Sequence, residues 1–320
     1  MYYVSEEFCE ANVSQREIVD AVADVFVAMA DGTATNFPTV REALTYKDAL
    51  FGFKSGIHLG RAILGVKAGG YWPHNGRQNR TNHQSTVILF DLDTGLPAAL
   101  VRANYLTGLR TAAASAISIR HLARQDAAVL GILGAGAQSI HQIRAALQQR
   151  EFRRLIITDI DMHRANSLAA SLYGRDLQID IFEARQMVME SDVIITVTPS
   201  FVPVIDAEWV RDGTHLACMG ADTKGKQEVD EFLFSRAVLF CDDVDQAISI
   251  GESQHATRKG MIRRSELIPI GDVISGKRHG RRTDSDITIF DGTGVGLQDL
   301  VAAQVALDQA IASQAVIELL

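Results

Sequence analysis

The chain is predicted to fold as an α/β protein in two parts, a doubly wound parallel sheet and an α+β domain built on an antiparallel sheet. Three observations predict this. Its 320 residues, 47% of them hydrophobic, suffice for two cores rather than one. Residues 127–139 read AAVLGILGAGAQS, an apolar run broken by a glycine turn and resumed as a helical pattern. The patterning also changes there: short strands with turn residues between them come before, alternating strands and helices after.

In chain order, Ser14 to Glu17 spell a capping box, with Val13 and Ile18 at the staple positions. Ile18, Val22, Val25, Phe26 and Met29 then give a helical stripe that Gly32 can end. Residues 33–101 hold apolar runs at 49–53, 62–66, 86–90 and 97–101, the last two joined by Asp93-Thr94-Gly95. With no helices between them these runs predict an antiparallel sheet or partial barrel. Polar residues punctuate it: Arg41, Lys67 at the end of its run, and Asn82-His83-Gln84-Ser85. A lone cation at a strand end is ordinarily solvated. Residues 105–122 form a helix rich in small side chains, with Thr107 as its expected N-cap and Arg110 in its first turn. A cation there opposes the helix dipole and calls for an anion, either a bound carboxylate or an internal Asp or Glu.

From residue 127 the alternation begins. Gly134 permits a tight turn and Gly136 a close backbone approach, so the helix start at Gln138 and Ser139 can face a pyrophosphate, as in a Rossmann unit. Ser139 departs from the usual Gly or Ala of the third fingerprint position. The strand 154–158 ends at Asp159, where a carboxylate meets an adenosine ribose and disfavours a 2′-phosphate, with His163 and Arg164 close by. Further strands are expected at 178–182, 193–198, 214–219, 237–241 and 287–290. Ligands should sit at their carboxyl ends, where Thr198, Met219, Gly220 and Asp222 fall. Asp222 either faces that crevice or caps the turn 222–226. The basic loop 276–282 reads as solvated surface, and a helix is expected from 297 to 320.

A formal charge of −8 argues against nucleic acid or an anionic membrane as the main partner. Three scattered cysteines with no C-x-x-C suggest neither a disulfide framework nor a metal site and fit a reducing cytoplasm. The N-terminus lacks the pattern of a signal peptide, and no run of 18 apolar residues suggests a membrane span.

Arg41, the GVK ending at Lys67, LTGLRTAAASA over 106–116, GAGAQS over 134–139, the GxD…GK-x-E pattern over 220–228 and FDGTGVGLQDL over 290–300 resemble the ornithine cyclodeaminase/μ-crystallin family. The motifs fall in the family's order along essentially the whole chain. The resemblance implies a homodimer. It also implies a substrate-binding and dimerisation domain over 1–118, completed by the helix 297–320, and a Rossmann domain over 119–296. The implied cofactor is NAD, with NADP possible. Arg41, Lys67 and Arg110 would hold a substrate α-carboxylate, and Asp222 and Lys67 would serve catalysis. Thr111, Gly134, Ala135, Gly136, Ala137, Gln138, Asp159, Thr198, Met219, Gly220 and Gly292 would contact the cofactor. Thr223-Lys224 stand where a cyclodeaminase has Cys-Pro, and Gly292 to Gly296 also depart from that pattern, which argues against ornithine. The expected reaction is NAD(P)H-dependent reduction of an α-imino acid to an L-amino acid. Cyclodeamination, cyclic-imine reduction, alanine dehydrogenation and non-catalytic nucleotide or hormone binding are the family's alternatives. Three cations on one carboxylate leave positive charge over, favouring a second acidic group on the substrate, for which His83, Lys224 and Thr293 are candidates.

Overall fold

The computed structural model describes residues 1–319 except 79, 173 and 175. It divides into two compact units, one of Met1–Arg110 with Val295–Leu320 and one of Thr111–Gly294.

The first unit is built on an eight-stranded sheet. From one edge it runs Ile317–Glu318, Tyr2–Val4, Pro97–Arg102, His83–Phe90, Ile63–Tyr71, Leu50–His58 and Ala34–Asn36, and Val40–Ala43 also pairs with Leu50–His58. All pairings are antiparallel except that of Tyr2–Val4 with Pro97–Arg102. Alternation along the strands makes two faces. Ile63, Lys67, Ser85, Val87, Leu89, Ala99 and Val101 point inward and are buried. The helix Gly296–Ala312 covers that face. Its Leu297 and Leu300 lie over Gly56 and Gly65, where an added Cβ would come within 3.1 and 2.9 Å of them. The helix Gln15–Ala30 packs on Gly296–Ala312 through its buried stripe, and its capping box is present, Glu17 N–H donating to Ser14 Oγ at 3.3 Å.

The second unit holds an all-parallel sheet in the order Gln178–Ile181, Arg154–Thr158, Val129–Leu133, Val193–Thr196, His215–Cys218, Ile287–Asp291, Ala237–Cys241, Leu267–Pro269. Its central strands are buried along their whole length and mostly apolar, as both faces of a parallel sheet require. The chain moves outward from Val129–Leu133 and returns at Val193–Thr196, so the topological switch point lies between these two strands.

Several sequence expectations change. The helix expected at 105–122 begins at Asn104, and Thr107 is not its cap. Thr107 Oγ1 donates to Ala103 O at 2.7 Å, while the Glu6 carboxylate accepts the N–H groups of Asn104 and Tyr105. Those first amides are therefore taken by a side chain of the chain itself, and Arg110 lies beyond the first turn. Lys67 is not at a strand end, because its strand continues to Tyr71. The C-terminal helix stops at Ala312. Gln314 adopts φ 56°, Gln314 N–H donates to Ile311 O and Ala315 N–H to Ala310 O, a Schellman closure made without glycine. Leu320, the end of the helix expected over 297–320, lies outside the described residues. In the basic loop, Arg281 is anchored rather than solvated: it donates to Leu122 O at 2.7 Å and Thr288 Oγ1 at 3.0 Å. No described helix is long and apolar enough to cross a membrane.

Candidate active site

In the first unit the cations gather on the inner face of the sheet. Cross-strand pairing sets Arg41 opposite Gly52, Gly52 opposite Gly69, and Gly69 opposite Ser85. Lys54 stands opposite Lys67 on the same face, and His83 precedes Ser85 by one period of alternation. The helix Asn104–Leu122 contributes Arg110, and Gly296–Ala312 contributes Asp299. Lys67 Nζ donates to Asp299 Oδ1 at 2.9 Å and to Thr107 Oγ1 at 2.9 Å. Arg110 Nε donates to the same Asp299 oxygen at 2.8 Å. All three charged groups are buried.

One carboxylate thus serves two cations. Burial alone would raise the pKa of Asp299, but the Arg110 and Lys67 charges outweigh it and bring it down to about 2. Lys67 yields instead: burial lowers its pKa to about 7, with Arg110 and Lys54 adding to the fall and Asp299 opposing it. Half-buried His83 is pushed down to about 3 by burial and by the Lys67 and Arg110 charges, so it is neutral and available as a donor or acceptor. The internal anion anticipated for Arg110 is therefore present. While Lys67 is protonated, Asp299 offsets only one of its two partners, and the cluster then carries an excess of positive charge. Asp299 Oδ2 is buried and without a hydrogen-bond partner.

In the second unit the glycine turn sits at the carboxyl edge of the sheet. Gly134 has φ 104°, and a Cβ there would stand 3.1 Å from Val197 O and 3.2 Å from Thr198 Cγ2, so only glycine fits. Ser139, at the third fingerprint position, is buried and closes the turn by donating from Oγ to Gly134 O at 2.7 Å. Gly136 and Ala137 are exposed, and a Cβ on Gly136 would meet nothing within 4 Å. The exposed glycine turn leading into the helix Ser139–Ala146 fits a dinucleotide pyrophosphate. Asp159 accepts Ala135 N–H at 2.6 Å and Asp161 N–H at 2.7 Å, which fixes its carboxylate beside the turn. Arg164 pairs with Asp161 at 3.3 Å, so its charge is already engaged.

The same edge brings Thr198, Met219, Gly220 and Gly292 together. Glu228 organises it. Its carboxylate accepts Thr196 Oγ1 at 2.6 Å, Thr198 N–H at 2.6 Å and Gly220 N–H at 3.0 Å. A Cβ on Gly220 would strike that carboxylate, and one on Gly292 would stand 2.5 Å from Met219 Sδ. Glu252 Oε1 accepts Glu228 N–H at 2.7 Å and Val229 N–H at 2.8 Å, and Asp291 accepts Glu252 N–H at 3.0 Å and Ser253 Oγ at 2.7 Å. Burial raises the pKa values of Glu228, Glu252 and Asp291, the last to about 7.

Asp222 is held in its loop by Lys226, whose Nζ donates to Asp222 Oδ1 at 2.8 Å and to Gly220 O at 3.1 Å. Gln254 clasps the loop, accepting Gly225 N–H at 2.7 Å. Lys224 is exposed on the loop, and Thr111 begins the second unit midway along the helix Asn104–Leu122. Thr293 is buried in the second unit, its hydroxyl donating to Asp242 at 2.8 Å. Sequence reasoning gave no role to Asp299, Lys226 and Glu228, although its motifs contain them, and missed Glu252. For Asp299 a signal existed: Gln298-Asp299 interrupt an otherwise apolar run.

Comparison with known proteins adds to this geometry. The chain is 46% identical to the iminosuccinate reductase of Paracoccus denitrificans (strain Pd 1222) over 310 residues, 97% of each chain. The crystal structure of the iminosuccinate reductase of Paracoccus denitrificans in complex with NAD+ matches with a TM-score of 0.93, covering 100% of this chain and 99% of that one. An archaeal alanine dehydrogenase dimer with bound NAD matches with a TM-score of 0.93 at 31% identity, again covering 100% and 99%. Residues 3–314 match the profile of the ornithine cyclodeaminase/mu-crystallin family, and the chain belongs to that family.

Proposed function

We propose that this protein is an NAD-dependent oxidoreductase that reduces iminosuccinate to L-aspartate. The observation that carries the reading is the buried pair Lys67 and Arg110 sharing one oxygen of Asp299. That cluster retains positive charge on the face that also bears Arg41, which suits an α-carboxylate. Similarity over the whole chain to an iminosuccinate reductase supports the choice of substrate.

NAD would be held by the turn Gly134, Ala135, Gly136, Ala137 and Gln138, by Asp159 at the ribose, and by Thr111, Thr198, Met219, Gly220 and Gly292. When bound, its reduced nicotinamide supplies the hydride. Arg41, Lys67 and Arg110 orient the substrate through its α-carboxylate. Asp222 is the residue we assign to the substrate nitrogen, to stabilise an iminium as carboxylate or donate a proton to a neutral imine, and Lys226 holds its carboxylate. The engaged Asp159 and the Asp161–Arg164 pair favour NADH over NADPH.

NADH oxidation with ammonia and a panel of 2-oxo acids tests this. Oxaloacetate should be consumed and L-aspartate formed. Conversion of ornithine to proline and ammonia, without net NADH use, would replace the reading with cyclodeamination. Asp222→Asn should lower kcat by about 10²–10⁴-fold with NADH binding retained; wild-type turnover would remove Asp222 from the mechanism.

We also infer a cytoplasmic homodimer. The three cysteines are unpaired and buried, which suits a reducing compartment. The outer face of the first unit's sheet carries Phe51, Phe53, Ile57, Leu64, Val66, Ile88, Phe90 and Leu100, all incompletely buried, where a solvated face would be polar. A second copy covering this face accounts for it. Ile88→Asp should halve the mass measured by light scattering; an unchanged mass would place the dimer contact elsewhere.

A further inference from the structure

The inner face of the first unit's sheet changes character on the two sides of Lys67. On one side Gly56 pairs with Gly65, and both are buried beneath Leu297 and Leu300 of the covering helix. On the other side Gly52 pairs with Gly69, and these two are only half-buried. A Cβ on either would collide with a carbonyl of the adjoining strand, Val40 O or Gln84 O, so only glycine fits and the floor there is bare backbone. His83 stands at the far edge of that floor. It pairs with Tyr71 and shares the inner face with Ser85, one strand over from Lys67 and about 13 Å along from it.

The His83 ring differs from those of His215 and His255. His215 is held between Ser118 Oγ at 3.0 Å and Thr288 Oγ1 at 2.9 Å, and His255 Nε2 lies 3.1 Å from Lys226 O. Among the described residues no hydrogen bond reaches either ring nitrogen of His83, although Thr81 Oγ1 donates to its backbone O at 2.9 Å. The ring is nevertheless near enough to Lys67 and Arg110 for their charges, after burial, to help keep a proton off it. A neutral imidazole has one N–H to donate and one nitrogen to accept with, and here both are unspent.

We propose that His83 is a specificity-determining residue, its ring N–H donating to the distal carboxylate of a dicarboxylic α-imino acid whose α-carboxylate lies on Lys67 and Arg110. The proposal rests on the imine-reductase reading and names what holds the other end of that substrate. Donors remain for the α-carboxylate: Lys67 uses two of its N–H groups, on Asp299 and Thr107, and Arg110 uses Nε and Nη1, leaving Nη2. The bare floor between gives room for a short carbon bridge. A neutral donor adds no further cation beside Lys67 and Arg110, as a lysine or arginine at this place would. The charges that oppose a proton on the ring would also oppose a substrate ammonium, so the place suits an anion. Of the other candidates, the Thr293 hydroxyl is spent on Asp242 and Lys224 is exposed on its loop.

The test is the KM and kcat for oxaloacetate with ammonia and NADH, in wild type, His83→Leu, His83→Asn and His83→Gln, with pyruvate as the substrate lacking the second carboxylate. His83→Leu should raise the oxaloacetate KM about 10- to 100-fold, as expected for loss of one hydrogen bond to a charged group, with a much smaller change in kcat. Asn and Gln place an amide N–H near ring Nδ1 and Nε2 respectively, and one of the two should bring KM back towards wild type. That comparison stands even if His83→Leu does not fold. A KM raised by the same factor for pyruvate, or restored by neither amide, would assign the effect to ring shape and overturn the proposal. An unchanged oxaloacetate KM in His83→Leu, with wild type active, would overturn it and leave the imine-reductase reading standing. Wild type idle on oxaloacetate but active on pyruvate or a cyclic imine would remove the dicarboxylate reading and the role of His83 together.

Discussion

In the first unit two buried cations share one carboxylate oxygen; in the second, Glu228, Glu252, Asp291 and Asp242 are buried mainly on backbone N–H and hydroxyl donors. Both arrangements take charge out of water, and they do so in opposite ways. The cation cluster keeps a fixed anion, Asp299, and a surplus of positive charge that a substrate can compensate. The acid cluster sheds its surplus by holding protons more tightly, because burial raises every one of its pKa values. The first arrangement is suited to attracting a ligand, the second to pinning strand ends rigidly around one.

That contrast can be broken at its strongest point by Asp299→Asn. Removing the shared carboxylate leaves two buried cations uncompensated and should cost roughly 3–5 kcal/mol in urea unfolding at neutral pH. A loss under about 1 kcal/mol would mean the cations do not depend on it. The pH dependence sharpens the contrast next. The Lys67 pKa is lowered from 10.5 to about 7 in the folded state, so the unfolded chain binds more protons between those values and stability rises with pH across that window. The Asp291 pKa is raised from 3.8 to about 7, so the folded chain holds the extra proton and stability falls as pH rises from 3.8 to 7. Unfolding profiles of Lys67→Met and Asp291→Asn against wild type should each lose the slope of its own window; profiles parallel to wild type would contradict the assignment. The smallest effect is expected for Glu252→Gln. Glu252 has its pKa raised well above 4.5, its Oε1 accepts two backbone N–H groups, and its Oε2 has no partner. An amide can replace the protonated acid, so the cost at pH 7 should stay under about 1 kcal/mol. A loss of several kcal/mol would show that Glu252 is buried as an anion.

Local signals were readable in the sequence and distant ones were not. The strand, glycine turn and helix over 127–139 announce themselves within a dozen residues, as does the capping box at Ser14. Lys67 and Arg110 could be nominated, but their counterion lies 232 and 189 residues away along the chain, and no spacing rule reaches that far. The misplaced N-cap has the same cause: the group that satisfies Asn104 N–H is Glu6, 98 residues earlier. Gln314 ended a helix where composition offered no glycine.

The helix Gly296–Ala312 has a consequence for how the molecule is made. It carries Asp299 and covers the inner face of the first unit's sheet, yet it is translated only after the whole of the second unit. Until it emerges, the seven strands between residues 2 and 102 have been translated without their lid, and Lys67 and Arg110 have no anion beside them. The nascent first unit must therefore wait, uncovered, through synthesis of the entire nucleotide-binding unit. A chain cut after Gly294 should show a folded second unit and a first unit still sensitive to protease.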